Sequence, residues 1–122
     1  MVIHIASAVL SAAGLLALIS GGLFWMGVAL NLITLHMLLG FLAVAALWTI
    51  GIAQAVANGG SRVVAACALL VGALTIALGL YQSSLLIGPL HWIVAITHLI
   101  LGIVTIGLGH MGAARYRKAN TA

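Results

Sequence analysis

Two histidines share a local pattern, and each lies in a long apolar stretch of the chain. His36 precedes Gly40 in the sequence His-Met-Leu-Leu-Gly, and His98 precedes Gly102 in the sequence His-Leu-Ile-Leu-Gly. An ionisable ring within a membrane-spanning helix marks a functional site by default. Two such rings at matching positions on two helices predict a shared ligand. The iron of a haem, with one axial imidazole from each side, suits this pattern best.

The composition indicates an integral membrane protein. Of the 122 residues, 66% are hydrophobic and 3% are charged, and none is Asp or Glu. A soluble domain carries about a quarter charged residues. The sequence pI of about 10.3 reflects four basic residues outside the apolar stretches, so it does not indicate nucleic-acid binding. The single cysteine, Cys67, excludes an internal disulfide.

Four apolar segments are long enough to span a bilayer, which takes about 20 residues as a helix. The sequence predicts helices over residues 3–26, 30–57, 63–86 and 90–112, with a tail over residues 113–122. The first segment has no basic residues before it and is too long for a signal peptide, so we expect a retained helix. The predicted fold is therefore an all-α membrane protein, a single transmembrane domain built as an up-down-up-down four-helix bundle.

The basic residues predict the orientation of this bundle. Arg62 lies between the second and third helices, and Arg115, Arg117 and Lys118 follow the fourth. Basic loops remain on the cytoplasmic side of membrane proteins. We therefore expect both termini, including the tail over residues 113–122, to be cytoplasmic in an inner or plasma membrane.

The second half of the chain repeats the pattern of the first. His36 and Gly40 correspond to His98 and Gly102 with an offset of 62 residues, and four glycines on the first and third helices correspond with an offset of 58. These glycines are Gly14, Gly21, Gly72 and Gly79. A parallel duplication of a helical hairpin produces such a two-fold repeat. His36 and His98 then lie at similar depth, in the outer half of the bilayer.

Glycines next to the histidines favour a large planar ligand, because a backbone without Cβ lets a macrocycle approach closely. The candidate cofactor-binding residues are therefore His36 and His98 as axial ligands, together with Gly14, Gly21, Gly40, Gly72, Gly79 and Gly102. His91 lies seven residues before His98 on the same helix face, so we also count it as a candidate contact to a haem propionate or a quinone, or as an interfacial residue that water satisfies. Thr34 and Thr97 are candidates to orient the ligand rings.

This layout resembles that of membrane b-type cytochromes, including the haem-binding bundle of cytochrome b and each half of haem A synthase. In those families the axial histidines come from the second and fourth helices of a bundle, and glycines on the first and third make space for haem. The resemblance implies one haem b with two histidine ligands, His36 and His98. The second histidine pair of cytochrome b is absent, since Ile50 and Gly112 stand at the equivalent positions. The glutamate of haem A synthase has no counterpart either.

Two classes of function follow from these patterns. The first is electron transfer by a haem-binding subunit, with quinone or inside a larger complex of membrane or redox subunits. Such a protein is a subunit rather than an independent enzyme. The second is a cofactor-free anchor or assembly subunit, whose histidines bond neighbouring helices and whose glycines pack against them. Another metal such as copper, or a quinone, is a further alternative for the histidines.

Overall fold

The computed structural model describes residues 1–121, and these form four long α-helices with no β-strand among them. The helices are Val2–Trp25 (α1), Ile33–Val56 (α2), Arg62–Tyr81 (α3) and His91–Thr121 (α4). Single 3-10 turns precede α2 and follow α3. The predicted all-α four-helix fold is confirmed. Its last tail position, residue 122, lies outside the described residues.

Each helix is long and apolar enough to cross a bilayer. Only between 17% and 28% of the most apolar stretch of each helix is buried within the protein. Large side chains such as Leu70, Leu15 and Ile52 are more than half exposed on the outer surface. A helix that is hydrophobic on all sides requires an apolar environment around it. The four apolar helices therefore indicate an integral membrane protein.

The helix ends differ most from the sequence prediction at two places. The fourth helix continues from Gly112 to Thr121, through the basic tail. Residues 113–121 contain no glycine or proline, so nothing stops the helix where its hydropathy falls. The third helix ends as an α-helix at Tyr81, earlier than predicted, and gives way to the 3-10 turn Gln82–Ser84.

The four helices form a closed ring in which sequence neighbours pack side by side and α4 packs against α1. The diagonal pair α2 and α4 also makes contact, whereas α1 and α3 do not within the described residues. The two helices that carry the candidate ligands therefore lie nearest the centre of the bundle.

The core occupies one end of the bundle. It lies in the first half of α1, the second half of α2, the first half of α3 and the second half of α4. Its buried members are Ile3, Ala6, Leu10, Ala13, Ala43, Ala46, Leu47, Ile50, Ala68 and Ala113. This packed end is the one that carries the basic residues. The opposite end has few buried side chains and encloses a cavity.

Gln54 joins three elements at the packed end. Its side chain is 1% exposed, its Nε2 donates to the carbonyl of Gly112 at 2.7 Å, and its Oε1 accepts from the backbone N–H of Ser61 at 3.0 Å. Ser61 in turn caps α3, since its hydroxyl accepts from the backbone N–H of Val64 at 3.3 Å. This network fixes α2, α4 and the connection to α3 relative to one another.

The helix contacts follow the two-fold repeat of the sequence. Gly14 on α1 lies against Ile106 on α4, and Gly72 on α3 lies against Val44 on α2. The repeat makes these two contacts equivalent. Gly14 corresponds to Gly72, and Ile106 corresponds to Val44 because it follows Val44 by the same offset as His98 follows His36. The repeat therefore extends to the packing between the two halves.

Candidate functional site

A cavity of about 730 Å³ lies at the end of the bundle without basic residues. It is enclosed by the end of α1, the start of α2, the end of α3 and the start of α4. Small-molecule and cofactor sites have volumes of about 300–1,000 Å³. Eight of the nine predicted site residues line this cavity: His36, His91, His98, Gly14, Gly21, Gly40, Gly79 and Gly102.

His36 and His98 lie close together across the cavity. Their ring centroids are 6.3 Å apart and the ring planes are inclined by 63°. A metal–imidazole bond is about 2.0–2.1 Å long, so two imidazoles on opposite sides of one ion have centroids about 6 Å apart. The observed separation therefore permits a shared metal ion between the two rings.

The His36 ring is held by two neighbours on α1. Its Nδ1 lies 2.9 Å from the hydroxyl of Ser20, and its edge meets the ring of Phe24 at a centroid distance of 5.3 Å. Ser20 is 8% exposed and also donates to the carbonyls of Leu16 and Ala17. The sequence prediction named Thr34 and Thr97 as ring-orienting residues and missed Ser20.

Thr34 and Thr97 do not orient the histidine rings. Thr97 donates its hydroxyl to the carbonyl of Ile93 at 2.7 Å, which is the preceding turn of its own helix. Thr34 is exposed on the outer surface of α2. The polar contacts to His36 come instead from α1, from the Ser20 hydroxyl and the backbone of Ala17.

His98 has no such support. Its Nδ1 is buried and has no hydrogen-bond partner among the described residues. A buried ring nitrogen without a partner is rare in folded proteins and requires an explanation. A bound group in the adjacent cavity is one explanation, because a metal or a polar ligand atom satisfies such a ring.

Glycines provide the space in which both rings lie. A Cβ built at Gly21 lies 3.3 Å from Cε1 of His36, and one built at Gly79 lies 2.9 Å from Cε1 of His98. At Gly40, by contrast, a Cβ meets nothing within 4 Å. Gly21 and Gly79 therefore position the rings, whereas Gly40 keeps the cavity itself open.

Gly72 is the exception among the predicted site residues. It does not line the cavity; a Cβ there would overlap the indole Nε1 of Trp48 and lie 2.8 Å from Cγ1 of Val44. The prediction that Gly72 makes room for a cofactor needs correction, because the side chain that fills its space is Trp48. Gly14 has both roles, since it lines the cavity and also packs against Ile106.

His91 lies at the cavity mouth beside Gln82 and Ser83. Its Nδ1 is 3.1 Å from the carbonyl of Leu85. A carbonyl only accepts, so Nδ1 donates and Nε2 remains for another partner. The mouth is thus more polar than the interior.

Two threonines form a polar pair in the cavity wall that the sequence analysis did not single out. Thr75 and Thr105 are 8% and 2% exposed, and their hydroxyl oxygens lie 3.1 Å apart. Both line the cavity. Thr105 follows His98 by seven residues and therefore lies on the same helix face. This spacing could have identified Thr105 from the sequence.

Three histidines line the cavity, His36, His91 and His98, and of these His36 and His98 form the close ring pair. No group of three or more His, Cys, Asp or Glu side chains suitable for a metal ion occurs in residues 1–121. His110, outside the cavity, contacts the hydroxyl of Ser11 at 3.1 Å. A metal bound here therefore needs most of its coordination from another source.

Comparison of the chain with protein-family models, with curated proteins and with solved structures finds no significant match.

Proposed function

We propose that this protein binds one haem b between His36 and His98 and transfers electrons within the membrane. The observation that carries the proposal is the 6.3 Å separation of the two rings across a glycine-bordered cavity. Two imidazoles alone do not complete the coordination of an iron ion. A porphyrin supplies the remaining four nitrogens and needs a space of this kind between helices.

The surroundings of the two rings fit such a group. Gly21 and Gly79 let the rings lie close to α1 and α3, and the open space at Gly40 provides room beside them. The Nδ1 of His98 is buried without a hydrogen-bond partner among the described residues. The polar mouth at His91 and Gln82 suits the carboxylates of a haem, while the apolar interior suits its ring.

The residues of the chain have distinct roles in this proposal. When bound, haem supplies a one-electron redox centre. His36 and His98 hold it, Ser20 orients the His36 ring, and the apolar cavity wall limits access of water. Ligand type, hydrogen bonding and burial set the reduction potential of such a centre.

The distribution of basic residues supports a location of the site in the outer half of the membrane. With Arg62 and the Arg115–Lys118 segment in the cytoplasm, both termini are cytoplasmic and the cavity lies in the outer half of an inner or plasma membrane. One haem in that half does not pass electrons across the bilayer alone. We therefore propose that a quinone or another membrane or redox subunit exchanges electrons with it.

Visible spectroscopy tests the proposal. The protein is expressed with ample haem, purified in detergent, and measured as reduced-minus-oxidised difference spectra together with His36→Ala, His98→Ala and the control His110→Ala. We expect sharp b-type bands in the wild type and the control, and their loss in the first two variants. A colourless wild type would contradict haem binding and favour the cofactor-free anchor or assembly subunit.

A further inference from the structure

The two candidate ligands are related by the repeat, but their immediate surroundings are not. His36 makes a 2.9 Å contact to the Ser20 hydroxyl from its Nδ1, whereas the Nδ1 of His98 is buried without a partner. Gly21 corresponds to Gly79, so the position before it, Ser20, corresponds to Leu78. Leu78 has no hydroxyl to offer to the His98 ring.

The hydrogen bonds of Ser20 determine the tautomer of His36. A serine hydroxyl has one proton to donate. The Ser20 hydroxyl lies 2.9 Å from the carbonyl of Leu16 and 3.0 Å from that of Ala17, and both carbonyls can only accept. A Ser20 proton directed to either carbonyl leaves the Ser20 oxygen to accept from the Nδ1–H of His36. The neutral ring then has a bare Nε2, which is the form that binds a metal ion.

We propose that the two ligands are unequal: Ser20 holds His36 as the permanent axial ligand, and His98 is the exchangeable one, which a small neutral diatomic molecule displaces. Ser20 acts as a positioning residue. The exchange rests on the proposed haem binding, whereas the tautomer of His36 does not.

The chemistry of the exchange is simple and balanced. In the haem-loaded protein, the bond from a nitrogen of His98 to the iron would break, and carbon monoxide would bind through its carbon in place of His98. Each ligand donates one electron pair, so no electron is gained or lost in the exchange. Hydrogen bonds behind a ligating histidine change metal affinity or activity by about 10- to 100-fold. The ligand without this support is therefore the one that leaves first.

The tautomer is tested in the full chain without haem. Protein labelled with ¹⁵N in its histidines is studied by nuclear magnetic resonance in lipid, and the two ring nitrogens of His36 are assigned by comparison with His36→Ala. We expect a protonated Nδ1 and a bare Nε2 in the wild type and in Ser20→Thr, and a mixture of tautomers in Ser20→Ala. A wild-type His36 protonated at Nε2, or an unchanged signal in Ser20→Ala, would overturn the role of Ser20.

The exchange is tested by titration of the reduced, haem-loaded protein with carbon monoxide. We expect the wild type to bind it, and Leu78→Ser, which places a hydroxyl at the repeat-related position behind His98, to bind it at least about tenfold more weakly. Leu74→Ser is the matched control, since Leu74 is exposed on the same helix, and should behave as the wild type.

Failure of this proposal is distinguishable from failure of the proposed function. Sharp b-type bands without any carbon monoxide binding, or equal affinity in wild type and Leu78→Ser, would overturn the exchange and leave haem binding intact. A colourless wild type would overturn the exchange together with haem binding, while the resonance measurement would still decide the role of Ser20.

Discussion

Gly79 lies directly behind the ring of His98, and a Cβ at this position would approach Cε1 to 2.9 Å. Gly21 stands in the same relation to His36, with a Cβ distance of 3.3 Å. In each hairpin, the helix that carries no candidate ligand thus fixes how far the ring of its partner helix lies from the cavity. Substitution of each glycine by alanine therefore tests whether the position of the ring depends on the missing Cβ.

We expect Gly79→Ala to disturb the site more than Gly21→Ala. A contact below 3.0 Å forces the His98 ring to move, whereas 3.3 Å requires a shift of only a few tenths of an ångström at His36. Visible and electron paramagnetic resonance spectra of the loaded protein should change more for Gly79→Ala. Gly107→Ala, where a Cβ meets nothing within 4 Å and which does not line the cavity, is the control. Equal spectra for all three variants would contradict the ring positions.

Gly40→Leu should abolish cofactor binding without unfolding the bundle. A Cβ at Gly40 meets no protein atom within 4 Å, and the residue lines the cavity, so the leucine fills space that a ligand needs. Leucine is also the better helix former, by about 0.5–1 kcal/mol. Gly107→Leu is the matched control on α4, since Gly107 also has open space but does not line the cavity. The haem content after purification measures cofactor binding, and helicity by circular dichroism shows whether the bundle is still folded. Normal haem content in Gly40→Leu would show that the ligand lies elsewhere.

Gly72→Ala should destabilise the bundle and leave the spectrum of bound haem unchanged. Its Cβ would overlap Trp48, and overpacking of this kind costs about 1–3 kcal/mol. Thermal unfolding in detergent should show a lowered Tm relative to the wild type. A shifted absorption spectrum with an unchanged Tm would instead restore Gly72 to the cofactor site.

Gln54→Ala should lower the stability of the packed end. The substitution leaves the carbonyl of Gly112 and the backbone N–H of Ser61 without their partner, at about 1–3 kcal/mol for a buried group left unsatisfied. The exposed Asn120 on α4 offers a control, since Asn120→Ala removes only a bond to the preceding turn. The measurement is again thermal unfolding. Equal Tm values for the two variants would contradict the role of Gln54.

The sequence predicted the four helices and the proximity of His36 and His98, while their role as ligands stays a prediction. Histidines are rare in such helices, so the correspondence of His36 with His98 was visible without a structure. The end of α4 was not predictable from hydropathy, because hydropathy indicates where lipid ends and not where a helix ends. Residues up to Thr121 continue the helix in polar surroundings.

The errors in the site have a common physical cause. Whether a glycine admits a cofactor or a side chain depends on the facing helix, and at Gly72 that helix presents Trp48. Serine and threonine hydroxyls in helices commonly bond the carbonyl of the preceding turn, as Thr97 does. Ser20 does so as well and still reaches His36. Sequence spacing does not determine this second contact.

The most direct test of the account is the reduced-minus-oxidised visible spectrum of the purified protein beside those of His36→Ala and His98→Ala. A haem held between His36 and His98 gives sharp b-type bands in the wild type and loses them in both variants. A wild type that stays colourless after expression with ample haem, or bands that survive both substitutions, would contradict a haem held between His36 and His98.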